Sequence, residues 1–446
     1  MKFAAFTSDA TPPVGHPLCG GWITPAREIV DRQYAHGLLI QPDGQAPIVL
    51  IAVDWCWIRT AAHRLWRERV AEAVGTEPTR VSVHCVHQHD AIMADTAADA
   101  ILAASQRDLR TLIGGFFEEA VRRCAEAALD ARKRLRSVTH IGRSQAVVSQ
   151  VASNRRILRP DGKVGTMRGS SCKDPKLRAA PEGLIDPFLK CITLWDGREC
   201  LAGIHYYATH PMSYYGQGGV SADFVGMARS WLREQTNVPQ IYFTGAAGNI
   251  AAGKYNDGSP EMRPILAERM FHAMQEAFET SRPQAIEAEP VWSTRTIRLP
   301  MNPEFDRKFF EKQLTAQGTP PAIPIKGAMG LAWWDWHEAG HGVDVSALRI
   351  GETAILHLPS EAFIEYQLYA QGRPTTLPAD EATSQPTPEL PADARFVACA
   401  AYGDCGPAYI PTDAAFPQGG YEVSMAWVGP GSEAIIKQAI DQVLHT

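Results

Sequence analysis

Apolar runs of strand length alternate with long amphipathic stretches along most of this chain, and that alternation limits which fold class is open to it. Residues 47–53 read as a buried strand, 60–74 as a helix rich in Arg, Glu and Ala, and 81–86 as a second strand. Residues 107–135 then read as one long helix, with Leu109, Leu112, Ile113, Phe116, Phe117, Ala120 and Val121 at helical spacing. Strand, helix, strand, helix is the order of an α/β layer fold, in which ligands sit beyond strand ends. The middle repeats this order, with strands at 190–195, 202–208 and 240–243 and helices at 222–234 and 260–279. Proline and glycine thicken over 300–345, which reads as an insertion or lid. Its Trp333-Trp334-Asp335-Trp336-His337 cluster either lines a pocket or anchors a loop as a buried aromatic patch. Residues 346–358 predict a hairpin turning at Gly351-Glu352, 374–394 an exposed loop, 396–402 a strand and 432–444 a helix.

Composition narrows the function. The 446 residues are 45% hydrophobic and 21% charged, ordinary values for a globular chain with ample core. A net charge of −6 gives no basic footprint for nucleic acid or an anionic membrane. No apolar stretch reaches the roughly 18–20 residues of a membrane-spanning helix. The N-terminus carries one lysine and no long apolar run, so no secretory leader is expected and the protein is placed in the cytoplasm. Nine cysteines without a CxxC pair fit reduced thiols in that compartment, and Cys56, Cys85 and Cys191 read as small core hydrophobes. A small-molecule substrate is expected, and a symmetric homo-oligomer is the default assembly.

His87-Gln88-His89 closes the apolar run 81–86, and strand alternation would point both imidazoles the same way at a strand end. His210 ends another apolar run, Ile204-His205-Tyr206-Tyr207-Ala208-Thr209-His210-Pro211. Two such strand ends suggest a hydrolytic metal site, although histidines in strands also serve packing alone.

Five stations in order resemble the neutral/alkaline (non-lysosomal) ceramidase-like family. They are Asp9-Ala10-Thr11-Pro12-Pro13-Val14-Gly15 with Leu18-Cys19-Gly20, then His87-Gln88-His89, then Thr209-His210-Pro211 with Ser221-Ala222-Asp223-Phe224. Leu358-Pro359-Ser360-Glu361 follows, and Ala408-Tyr409-Ile410-Pro411-Thr412 through Gly419-Gly420-Tyr421-Glu422 closes the series. The resemblance implies layered mixed β-sheets flanked by helices in a single catalytic domain over 1–446; the C-terminal immunoglobulin-like domain of true ceramidases is not expected, since the chain leaves no room for it after the Tyr421 segment. It also implies a zinc-dependent amide hydrolase in which His87, His210, Glu361 and Tyr409 hold Zn2+. In the same reading His89 handles a proton, Tyr421 contacts the scissile carbonyl, and Arg155 of Asn154-Arg155-Arg156 orients a substrate carboxylate or hydroxyl. Glu361 is expected at a helix start, and Asp54 and Asp223 as outer partners of zinc histidines.

One departure bears on mechanism. Ceramidase members carry Gly-Asp-Val-Ser-Pro after a Gly/Ala run, whereas this chain reads Gly248-Asn249-Ile250-Ala251-Ala252. Alanine cannot act as a nucleophile or donate a hydrogen bond, so a route needing that serine is closed, while metal-activated water needs no serine. Because the chain leaves no room for the C-terminal domain of true ceramidases, ceramide is not the expected substrate, and a small or sugar-linked amide, or an ester, is the better expectation. The rival reading is a catalytically silent relative that keeps the pocket for binding or assembly.

Overall fold

A computed structural model describes residues 1–376 and 396–445. The architecture is mixed α/β: three main sheets, each flanked by helices, share one continuous hydrophobic core. The first sheet contains β1 (Lys2–Asp9), β2 (Tyr34–Gln41), β3 (Ile48–Val53), β4 (Val81–Cys85) and β5 (Arg136–Ser137), in the order β4-β3-β2-β1-β5. The second contains β6 (His140–Val147), β7 (Phe188–Asp196), β8 (Glu199–Tyr207), β9 (Gln240–Thr244) and β10 (Arg282–Ala285), in the order β9-β8-β7-β6-β10. The third runs β11 (Val291–Ile297), β12 (Val343–Ile350), β13 (Thr353–His357) and β14 (Val397–Ala400).

Each sheet is antiparallel except for one parallel pair at an edge: β3 with β4, β8 with β9, and β13 with β14. The three parallel edge strands meet. Ala401 N–H donates to Thr244 O at 2.8 Å, Cys85 N–H to Tyr402 O at 2.9 Å, and the Thr244 hydroxyl to Val86 O at 2.7 Å. Their carboxyl ends therefore open onto one place, where turns rather than strands supply the side chains.

Four expected helices form, α1 (Thr60–Val74), α4 (Asp223–Thr236), α5 (Met262–Thr280) and α9 (Ser432–His445), and the chain also forms α2 (Thr96–Ala104), α3 (Phe116–Arg132), α6 (Arg307–Thr315), α7 (Ala322–Glu338) and α8 (Ile364–Ala370). The long helix expected over 107–135 does not form as such. Gly114-Gly115 interrupts it, Gly115 adopts a left-handed φ of 83°, and helix begins only at Phe116. Leu109 and Leu112 lie in the preceding loop, which is pinned where Thr111 donates to Asp99.

The 300–345 segment contains an antiparallel helix pair, α6 and α7, rather than irregular loop. Trp333 is buried against Gly406, while Trp336 stacks on His341 at 4.1 Å under the Arg64 guanidinium. The hairpin at Gly351-Glu352 forms between β12 and β13. Residues 377–394, most of the stretch read as an exposed loop, lie outside the described residues. Among the described residues, no helix is long and apolar enough to cross a membrane.

Candidate metal centre

Beyond the ends of the edge strands the backbone is held in an uncommon conformation. His87 (φ 77°), Ser360 (φ 56°), Tyr402 (φ 62°) and Ala408 (φ 60°) are all left-handed, and each is at or next to a candidate site residue. For residues other than glycine this conformation costs on the order of 1–2 kcal/mol each, and it persists only where packing enforces it. The strand carrying His87 stops at Cys85, so simple alternation does not place His87 and His89 together. The left-handed turn at His87 brings their Nε2 atoms to 3.3 Å instead.

Each ring has its orientation fixed from behind. His87 Nδ1–H donates to Cys56 O at 2.9 Å, and its ring stacks on Tyr402 at 4.3 Å between centroids. His210 Nδ1–H donates to Ala247 O at 2.8 Å and Ile250 O at 2.9 Å. Both rings thereby present the Nε2 lone pair to the site, the orientation that an outer hydrogen bond gives to a metal-ligating histidine. Burial pushes both histidines well down in pKa, keeping them neutral; for His210 the Arg155 charge adds to this.

Glu361 does not begin a helix. It lies in a two-residue parallel ladder, Glu361–Ala362 with Tyr409–Ile410, just before α8. Glu361 faces Tyr409 across this ladder, so the two side chains leave on the same side. The Glu361 Oε2 atom sits 3.1 Å from His210 Nε2 and 3.5 Å from His87 Nε2. His210 Nε2 and Glu361 Oε2 are buried and have no hydrogen-bond partner. A buried carboxylate oxygen without a partner is costly unless a cation faces it. Two donors each about 2.0–2.1 Å from one tetrahedral ion would be roughly 3.4 Å apart, so this donor set fits a single cation. His89 also falls within range, since ligand atoms of His87, His89 and His210 all lie within 4.8 Å of one another.

Tyr409 is buried, and its hydroxyl accepts from Arg155 Nη2 at 2.9 Å. Burial pushes this phenol well up in pKa, against the opposing pull of Arg155. Arg155 also donates to Gly248 O at 2.7 Å and to Glu422 Oε1 at 2.8 Å. These bonds tie it to Tyr409 and the protein, a different job from the substrate contact expected of it. Tyr421 is exposed, 41% accessible, with its ring edge-on to Tyr409 at 5.8 Å.

The expected outer residues lie elsewhere. Asp54 accepts from Arg229 at 2.9 and 2.8 Å and from Gln88 Nε2 at 3.1 Å, and contacts neither His87 nor His210. Asp223 accepts from the Ser213 and Phe224 amides. Backbone carbonyls fill the outer positions behind the histidines, because the turns bring peptide groups closer than any carboxylate. Asn249 bridges Ile364 N–H (2.9 Å) and Glu365 (3.0 Å), fixing the segment that follows Glu361. Ala251 pairs with Ser153 in a short ladder, and no side-chain hydroxyl stands at its own position.

Two residues of this neighbourhood carry no motif in the sequence, Tyr402 and Cys56, and Glu422, inside the closing station, is given no role there. Cys56, expected as a plain core hydrophobe, has its sulfur 3.8 Å from His87 Nδ1. Cys19 Sγ lies 3.6 Å from Nδ1 of the half-buried His89. Hydrogen bonding from Cys56, with help from His89, holds the Cys19 thiol below its usual pKa, while burial holds Cys56 well above.

No protein-family model and no curated protein matches the sequence. Among solved structures, the chain is similar to neutral ceramidase from Pseudomonas aeruginosa, with a TM-score of 0.68 and 16% identity. That match covers 100% of this chain and 74% of the other. It is equally similar to a ceramidase complexed with C2, at TM-score 0.70 and 17% identity, covering 100% of this chain and 75% of that one. Along its whole length, then, the chain is ceramidase-like in fold, as its five stations imply.

Proposed function

We propose that this protein is a zinc-dependent hydrolase that cleaves an amide bond in a small, non-ceramide substrate. The observation that carries the reading is the buried triad of His87 Nε2, His210 Nε2 and Glu361 Oε2, two of whose donor atoms have no partner within the protein. These three, with the Tyr409 hydroxyl, would hold the ion. Zinc bound there would lower the pKa of water to about 7 and polarise the substrate carbonyl.

The chain's own residues divide the remaining work. His89 presents Nε2 toward the triad, where it can take a proton from attacking water and pass it to the leaving nitrogen. Tyr421, beside Tyr409, donates to the carbonyl oxygen as negative charge develops on it. Arg155 is a positioning residue that acts through Tyr409. The reaction adds water across the C–N bond, giving an acid and an amine. Ala251 supports water rather than a protein hydroxyl as the attacking group, because no serine stands there. All nine cysteines are free thiols, in keeping with our placing the protein in the cytoplasm.

The test is metal analysis of the full-length protein beside His210→Ala, with a panel of acyl amides and esters. We expect the variant to hold one zinc per chain fewer and to lose turnover. Equal metal content in the two proteins would overturn the centre. Zinc lost in the variant, with no turnover by either protein, would favour a silent binding protein, the reading that Ala251 and Asn249 motivate.

A further inference from the structure

We propose that Cys19, Cys56 and Nδ1 of His89 form a second metal site, back to back with the first across the His89 ring, for one soft, thiophilic divalent ion. The ligand atoms of these three residues all lie within 4.8 Å of one another, and Cys19 and Cys56 are 3% and 0% exposed. Two thiolates and one imidazole are a donor set that favours Zn2+ or Cd2+ over hard ions and leaves a fourth position open. The geometry suits it. With Zn–S about 2.3 Å and Zn–N about 2.0–2.1 Å, the S···N edge of a tetrahedron is roughly 3.6 Å. Cys19 Sγ and His89 Nδ1 are 3.6 Å apart.

The three donors are built into one unit. Cys19 adopts a left-handed φ of 45°, and its amide donates to Ala91 O at 2.7 Å. The Cys56 amide donates to Ile92 O at 2.7 Å. Both cysteines are thus pinned to the segment that carries His89. Cys19 approaches the ring at Nδ1, with Cys56 within 4.8 Å of the cluster's ligand atoms, while Nε2 points to His87 at 3.3 Å, so the two sites use different nitrogens. Cys56 reaches the cluster because it follows the end of β3, one residue beyond the buried Trp55, in a turn outside any strand.

An ion on Nδ1 has a chemical consequence. The neutral ring must then carry its remaining proton on Nε2, so that nitrogen can no longer accept one. Occupancy would silence His89 as a base. This consequence rests on the role proposed for His89, whereas the binding does not.

The experiment titrates cadmium(II) into the full-length protein as purified, with a phosphine reductant present, and follows the ultraviolet thiolate-to-cadmium charge-transfer band. We expect saturation at about one cadmium per chain, with any zinc already there displaced because thiolates prefer the softer ion. Cys19→Ser and Cys56→Ser should each raise the Kd on the order of tenfold or more, and His210→Ala should leave the band unchanged. Two serine variants are used so that loss of fold in one leaves the other to decide. No saturating band in the wild type, or a band that survives in the folded serine variants, would overturn the site. Because His210→Ala tests only the first centre, failure of that centre and failure of this one give different results.

Discussion

Glu422 is fully buried and holds two arginines at once: Arg155 Nε at 2.8 Å and Arg156 Nη1 at 2.8 Å. Burial opposes its charge, but the two guanidiniums outweigh burial and hold the carboxyl below its usual pKa. Arg155 in turn donates to the Tyr409 hydroxyl, so the tyrosine side of the proposed centre stands on this carboxylate. Removing one partner of a buried ion pair leaves the other charge uncompensated, at about 3–5 kcal/mol. Glu422→Gln keeps the shape and can still accept hydrogen bonds, so urea unfolding should show a loss near the low end of that range. A variant as stable as the wild type would mean that the two arginines find other partners. The same neighbourhood shows what a sequence can reveal residue by residue. His87 and His210 stand out because a histidine after an apolar run is conspicuous, and Glu361 and Tyr409 because they sit in ordered stations. Tyr402 and Cys56 carry no such mark, and Glu422 lies in a station without any sign of its role. They join the site through left-handed turns and through pairings across more than 260 residues (Arg155 to Glu422), which no local pattern encodes.

At the level of elements, packing between helices is as specific as the site. Phe310 on α6 packs against Gly330 on α7, where an added Cβ would run into the Phe310 ring. Glycine within a helix costs about 1 kcal/mol relative to alanine, so Gly330→Ala would help α7 if it stood alone. In the pair the new methyl must displace a fully buried ring, and overpacking costs typically about 1–3 kcal/mol. The net expectation is a loss of about 1 kcal/mol or more in thermal unfolding, recovered in part when Phe310→Leu is added. A stabilised single variant would show that the α6–α7 pair shifts freely. Elements with clean periodicity and caps were legible: α1 matches its expected bounds, and its C-terminal Gly75 is left-handed, as a helix stop favours. The helix read over 107–135 was overextended because its apolar spacing continues through Gly114-Gly115, where backbone freedom overrides the pattern. Glu361, expected at a helix start after Pro359-Ser360, instead pairs with Tyr409 in a short ladder before α8 begins at Ile364.

For the molecule as a whole, Asp54 is a point where separate parts of the chain are tied together. It follows β3 of the first sheet and accepts from the Tyr34 amide of β2 at 3.0 Å. It also takes both nitrogens of Arg229 on α4, the helix that packs on β9 of the second sheet. Through Gln88, a further contact reaches the turn between His87 and His89. Burial raises the carboxyl pKa, but the Arg229 charge and hydrogen bonds overcome this and leave it below the usual value. The sign follows from linkage. A carboxyl whose folded pKa is depressed adds stability that is fully present above its unfolded pKa of about 3.9 and is lost as pH falls through the folded value. Asp54→Asn lacks that charge at every pH and leaves Arg229 buried without a counterion. The variant should therefore be less stable than wild type by about 3 kcal/mol or more at pH 7. The gap should narrow as the pH falls below the unfolded pKa of about 3.9 toward the depressed folded value, where Asp54 becomes neutral in the wild type. Urea midpoints of both proteins across that range read the difference directly. A gap that stays constant with pH would place the loss in hydrogen bonding alone. A gap that closes would show that one buried charge pair joins the two sheets and holds the histidine turn between them.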